Sequence, residues 1–226
     1  MCHTWRTCVD VRMMNLFRKH WYDVGGVLGL LLLILVLRPQ AGLSSYQLLM
    51  WLSLASLFFH QVEEYRFPGT FPGMINSKMF HSDRPDRYPL NTNTAMLINV
   101  GMGWTLYLLA ALAGDRLIWL GMSAMLVSLG NIVAHTFLFN LKGRTLYNAG
   151  LATCWLFFAP CVFFFFHIIH TDQLATMADY WAGIPLGILI NVFGVFKPIG
   201  WLADRDTTFI FRDGQLLPTD RRNPPR

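Results

Sequence analysis

Residues 48–64 read LLMWLSLASLFFHQVEE, and this stretch decides the fold. An otherwise apolar run from Leu48 to Phe59 ends in His60, Glu63 and Glu64. On a helix, positions i, i+3 and i+4 share one face. The three ionisable side chains are therefore expected to project together from the end of a membrane helix. Ionisable groups in such a segment are costly to hold there, which makes them candidates for function.

The sequence around this stretch has the same character. The chain has 226 residues, is 54% hydrophobic and is only 14% charged, against roughly 25% in soluble domains. Apolar segments recur along most of its length, and six spans are expected over residues 21–37, 45–64, 92–113, 117–139, 149–170 and 179–196. Each is near the ~20 residues that cross the hydrocarbon core. The first has a basic lead-in that resembles a signal peptide, but no small-x-small cleavage site follows Leu37. It reads as a retained helix with Trp21 and Tyr22 as an interfacial aromatic anchor. The expected fold class is all-α: a polytopic membrane helix bundle of about six transmembrane helices. A basic head at 1–20 precedes the helical domain at 21–200, and a flexible tail follows at 201–226. The four cysteines, Cys2, Cys8, Cys154 and Cys161, show no metal-knuckle spacing and imply no disulfide framework.

The formal charge of +5 invites a nucleic-acid reading, but its distribution follows membrane topology instead. The head, the loop after span two, the loop after span four and the tail hold every Lys and Arg except Arg38 and Arg116. By the positive-inside rule both termini are expected in the cytoplasm, with the protein in a cell (plasma or inner) membrane. Span two then runs inward, placing His60, Glu63 and Glu64 at its cytoplasmic end. Span four also runs inward, with Asn131 and His135 at i and i+4. Asn91, Asn93 and Asn99 mark the entry of span three, Asn148 that of span five, and Asn191 the inner half of span six. Polar side chains from five segments thus converge at one depth. Residues 65–90 are long for an unstructured loop and carry Pro68-Gly69 and Pro72-Gly73 turns among apolar residues. They are expected to lie in the interface over the site.

His60-Gln61-Val62-Glu63-Glu64 followed by Phe67-Pro68 resembles the signature of the HXXEE family of integral membrane proteins. Tyr88-Pro89-Leu90-Asn91, the Asn131/His135 pair and Tyr147-Asn148-Ala149-Gly150 follow in the order that the family shows. The resemblance covers about residues 48–170. One departure is Ala149, where the family pattern has proline in an Asn-Pro-Gly turn. The resemblance implies a membrane fold and a site, and no reaction.

Two adjacent carboxylates in a low-dielectric setting resist joint ionisation, so a metal, a shared proton or a nearby cation must compensate. In the metal reading His60, Glu63, Glu64 and His135 are ligands, with Asn131, Asn93, Asn99 and Asn148 supporting them or the substrate. Imidazole and carboxylate suit Zn, Fe or Mn. A mononuclear divalent ion is expected, because the repeated Glu-x-x-His element of di-iron bundles is absent. A metal-free reading makes one glutamate a general base, with His60 or His135 stabilising an oxyanion. A third uses the pocket for proton- or cation-coupled transport, or for binding a small ligand without catalysis. The plain alternative leaves Glu63 and Glu64 in headgroup water at an ordinary helix end, beside Arg66. The leading expectation is a membrane-bound hydrolase with catalytic Glu63, Glu64, His60 and His135, partnered by the lipid bilayer and acting on a lipidic or amphiphilic molecule.

Overall fold

The computed structural model describes residues 5–38 and 42–221, with side chains from Arg12 onward. Expectations resting on Cys2, Arg6, Cys8, Pro39, Arg222 and Arg226 fall outside the described residues or side chains. Among the described residues the structure is all-helical, with no strand. Helix α1 is Trp5–Val36 and α2 is Ser45–Tyr65. Helix α3 covers residues 92–113, α4 covers 118–143, α5 is Leu151–Thr171 and α6 is Met177–Trp201.

Four segments are long and apolar enough to cross a membrane: Arg12–Val36, Thr92–Gly143, Leu151–Thr171 and Met177–Trp201. Helix α2 falls outside this group because Gln47 at one end and His60–Glu64 at the other dilute its apolar run. The 52-residue segment Thr92–Gly143 is not one rod. Gly114 takes a positive φ of 58°, a conformation that suits glycine, and α4 folds back along α3. Across that hairpin the Tyr107 hydroxyl donates to Ala124 O at 3.0 Å and meets Ser128 Oγ at 2.7 Å.

Local signals set the helix starts. Ser44 and Gln47 form a reciprocal capping box on α2. Asn91 Oδ1 accepts the N–H groups of Asn93 and Thr94, both at 3.0 Å, to cap α3. Thr176 and Asp179 do the same for α6. Leucine, phenylalanine and tryptophan side chains on α1, α3, α5 and α6 form the exposed apolar surface, as a lipid-facing wall requires.

Helix α1 runs unbroken from Trp5 to Val36, so the segment expected as a basic head is helical from Trp5 and continuous with the first span. Trp21 and Tyr22, expected as an interfacial aromatic anchor, pack inside the bundle. Both are buried, with Trp21 edge-on to Tyr65 at 4.9 Å and Tyr22 stacked on Tyr65 at 5.9 Å. The tail differs from expectation too. Through Arg221 it is pinned across one end of the bundle rather than loose. Thr92 N–H donates to Phe209 O at 3.1 Å and Phe211 N–H to Asp86 O at 2.7 Å. Gln215 Nε2 donates to Tyr65 O at 3.0 Å, and Phe211 and Leu216 are buried. Two buried apolar anchors, two backbone hydrogen bonds and one from the Gln215 side chain outweigh the polar composition that suggested mobility.

Glycines let α4 and α6 pack closely. A Cβ on Gly183 would lie 2.7 Å from Trp119 O, and one on Gly187 would lie 2.7 Å from Leu126 Cβ. Gly183→Leu is therefore expected to cost about 3 kcal/mol, the upper end for overpacking. Thermal unfolding of the purified protein in detergent checks this. Gly200→Ala, which meets no atom within 4 Å, serves as the control, and equal melting of the two variants would refute the close contact.

Candidate functional site

The site begins on the last turn of α2. His60 and Glu64, at i and i+4, share a face, and His60 Nε2 lies 3.5 Å from Glu64 Oε1. Glu63 does not join them, because adjacent helix positions diverge by about 100° around the axis. The expected common projection of all three groups is thus corrected: one glutamate faces into the bundle and the other faces α5.

His135 arrives from α4 through a π turn, Ala134–Leu138, closed by Phe139 N–H onto Ala134 O. The extra residue in this turn rotates the helix face, a feature often found at functional sites. His135 Nε2 is 3.3 Å from the same Glu64 Oε1. The His60 and His135 rings meet edge-on with centroids 5.0 Å apart. All three side chains are buried. Further π turns lie in α3 (Leu97–Trp104), α5 (Cys154–Phe158) and α6 (Ile190–Phe196), so four helices depart from regular α geometry around one region.

Hydrogen bonds at the far edges of both rings favour a proton on each Nδ1. Asn148 Nδ2 donates to His135 O and to Asn140 Oδ1, both at 2.8 Å. Its Oδ1 is left as an acceptor, and it lies 2.6 Å from His135 Nδ1; His135 therefore donates from Nδ1. Thr153 Oγ1 gives its proton to Glu63 Oε2 and so accepts from His60 Nδ1 at 2.9 Å. With both rings neutral, each imidazole then presents an Nε2 lone pair to the interior. Each Nε2 is fully buried with no hydrogen-bond partner among the described residues. The distances to Glu64 satisfy an ion-pair contact, but the alignment is not that of a hydrogen bond. Two Nε2 atoms without a hydrogen-bond partner among the described residues thus flank one carboxylate oxygen.

Glu63 has a full set of partners elsewhere. It accepts Thr153 N–H at 2.7 Å, Ala152 N–H at 3.2 Å and the Tyr147 hydroxyl at 2.8 Å, besides Thr153 Oγ1. A carboxylate at the start of α5 meets that helix's free N–H groups. Burial and the bond to Glu63 push the Tyr147 phenol above its ordinary pKa. Gly150 makes the approach possible: its φ is 109°, and a Cβ there would overlap the His135 ring.

Residues 65–90 cover the site. Phe71 lies stacked on the His135 ring with centroids 5.6 Å apart, while Met74, Ile75 and Asn76 are buried beneath the tail. Below the His60–Glu64 pair lies a cavity of about 70 Å³, walled mainly by apolar side chains of α2, α3, α4 and α6. Asn131 and Asn99 are its polar wall residues away from α2.

The remaining expected residues separate. Asn131 lines the cavity and makes one hydrogen bond, to Val127 O at 3.0 Å. Asn99 is committed to Gln61, Tyr65 and Ala95. Asn148 orients His135 without facing the cavity. Asn93 accepts from Arg18 at 3.0 Å and belongs to the helix entry. Asn191 bonds Leu126 O and Gly187 O, joining α6 to α4. Thr153 escaped the sequence reading, and Tyr147, Gln61 and Phe71 were given no role at the site, since no local pattern sets a lone Thr or Phe apart from core. Cys154, read as an ordinary helix residue, lies here too: His60, His135 and Cys154 offer ligand atoms within 4.8 Å of one another. Its Sγ, however, is 3.9 Å from His60 Nδ1, on the ring edge already held by Thr153. Glu64 lies instead at the Nε2 edges of the two rings.

Comparison with curated proteins and with solved structures finds no match. A family model described as a protein of unknown function with HXXEE motif matches residues 51–165, a stretch that runs from inside α2 to inside α5 and contains His60, Glu63, Glu64, His135, Asn148 and Thr153. On that match the chain belongs to the HXXEE family.

Proposed function

We propose that the protein is a membrane-embedded hydrolase. Its centre would be one divalent metal ion held by His60 Nε2, His135 Nε2 and Glu64 Oε1, and its substrate an amphiphile from the bilayer. The observation that carries this reading is that two buried imidazole Nε2 atoms without a hydrogen-bond partner among the described residues flank one carboxylate oxygen. A proton on Glu64 serves one imidazole at a time, whereas a cation at the common point serves all three groups. The two spacings from Glu64 suit an ion: ligand atoms ~2.1 Å from one tetrahedral centre lie about 3.4 Å apart, against 3.3 and 3.5 Å from Oε1 to the two Nε2 atoms. Each ring is also held at Nδ1 by a further group, as ligand histidines commonly are.

Two histidines and one carboxylate leave a coordination position free, the pattern of a reactive zinc site; Fe and Mn accept the same donors. When bound, such an ion polarises a carbonyl and makes water more acidic. The chain's own groups do the rest. Thr153 and Asn148 fix the two rings, and Glu63 fixes Thr153. Phe71 excludes water from above, and Asn131 offers an amide to the substrate's polar end. In hydrolysis the water oxygen bonds to the carbonyl carbon, the bond to the leaving alcohol or amine breaks, and the water proton passes to that leaving group.

In this reading the chain has six spans, with α2 counted and Thr92–Gly143 taken as two. Both termini lie in the cytoplasm of a cell membrane. The contacts that gather the start of α1, the covering segment and the tail at one end support this arrangement: Arg18 with Asn93, and Gln215 with Tyr65.

Metal analysis tests the proposal. Protein purified without chelators is expected to carry about one equivalent of Zn, Fe or Mn, reduced roughly tenfold or more in His135→Ala and in Glu64→Ala. Asn93→Ala is expected to keep its metal. Wild-type protein free of metal, or full occupancy in His135→Ala, would sink the assignment.

A further inference from the structure

The walls of the cavity say what it accepts. Leu57, Leu106, Val127, Ile190 and Ile199 supply apolar surface, and His60, Glu64, Tyr65, Asn99 and Asn131 supply the polar end. Among the described residues no Lys or Arg lines it. Three basic groups at this end of the bundle, Arg18, Lys19 and Arg212, line a separate pocket beyond Tyr65. A buried phosphate needs several charge-assisted partners. A phosphate monoester carries about −1.5 to −2, more than the single positive charge that a divalent ion offset by Glu64 would leave. Lipids headed by a phosphate monoester therefore fit this cavity poorly.

Its size and exits add to this. About 70 Å³ holds a small polar end and the first carbons of a chain, not a whole lipid. The covering segment closes one side, with Phe71 on His135 and with Tyr65 and Leu90 buried. On the side between α3 and α6 the wall is thin. Met102 lines the cavity and is also 36% exposed at the molecular surface. Its Cε lies 3.0 Å from where a Cβ on Gly194 would sit, so a flexible thioether crosses into a notch in α6. Met102 and Gly194 both fall within the π turns of their helices. An unbranched methionine changes rotamer readily, which makes this contact a gate rather than a seal. A second cavity of about 40 Å³ shares Asn131, Val195 and Ile199 with the first and extends along the same helix.

We propose that the substrate is a single-chain amphiphile with an uncharged polar end, which enters between α3 and α6 past Met102. Its polar end lies between Asn131 and the His60–Glu64 pair, and its chain trails into the bilayer. This rests on the reading of that pair as the reactive centre.

The full chain in lipid nanodiscs, irradiated with a diazirine-bearing monoacylglycerol, tests it. Label is expected on peptides carrying Met102, Val195 and Ile199, about fivefold above that from probes of the same chain bearing a phosphate or a carboxylate, or from a two-chain probe. Met102→Trp, which fills the gate, is expected to cut the labelling about fivefold. Gly194→Ala, which closes the notch with one methyl group, serves the same purpose if Met102→Trp fails to fold. Equal labelling by the phosphate or carboxylate probe overturns the proposal. So does label confined to outward residues such as Leu112, or labelling indifferent to both variants. Labelling is also read in His135→Ala. Cavity labelling without any metal in the wild type would defeat the metal centre and leave the binding proposal standing. Metal without cavity labelling would do the reverse.

Discussion

Gly150→Ala is expected to destabilise the protein by about 3 kcal/mol or more and to lower the metal content proposed for the centre. Two independent costs add. At a φ of 109° a residue with a Cβ is strained by roughly 1–2 kcal/mol. The new methyl group would also overlap Cε1 and Nδ1 of His135 and lie 2.9 Å from His60 Cε1. Neither ring can retreat, since Asn148 holds one and Thr153 the other. Relief must come from moving the start of α5, which breaks the N–H bonds to Glu63. Thermal unfolding in detergent and metal content are the two measurements. Melting within ~1 °C of wild type, where a shift of several degrees is expected, would show that the turn has room the structure does not.

Asn76→Ala is expected to cost about 4 kcal/mol and to open the cover. Asn76 is fully buried. It donates to Pro85 O at 2.8 Å and Leu90 O at 2.9 Å, and accepts Leu90 N–H at 2.9 Å. Truncation strands three backbone groups away from water, each at about 1–3 kcal/mol if unrelieved. Relief comes from letting residues 80–90 lift, which admits water over Phe71 and His135. Hydrogen exchange reads this directly: amides of the 85–92 stretch should exchange roughly a hundredfold to a thousandfold faster, while those of α4 stay protected. Unchanged protection at Leu90 would mean that the cover is held by other contacts, such as the tail's bond from Phe211 to Asp86.

Much of the site was legible because helices are local and periodic. The pairing of His60 with Glu64 needs only the i, i+4 rule, and the capping role of Asn91 needs only its place before an apolar run. The depth of His135 followed from counting residues along a membrane span. Azimuth did not follow. Whether His135 turns inward depends on a π turn at Ala134–Leu138, and no composition rule marks that turn. Glu63 was misassigned for a related reason. Its i+3 relation to His60 looked like a shared face, but its partners, Thr153, Ala152 and Tyr147, lie some 90 positions away and were invisible to local reasoning. The tail looked mobile because Pro, Arg and Asp dominate it, although Phe211 and Leu216 are its anchors.

The sequence by itself determined that the chain is a bundle of apolar helices, where those helices begin, and which polar residues share a level. Those properties follow from hydrophobicity, periodicity and capping, each read within a few turns. Only the tertiary structure decided which atoms meet. It turned two imidazole Nε2 atoms and Glu64 Oε1 toward one point, sent Glu63 to the start of α5, and drew the tail over the cover. Such choices depend on helix rotation and on partners far apart in the chain, which packing sets and no local pattern encodes.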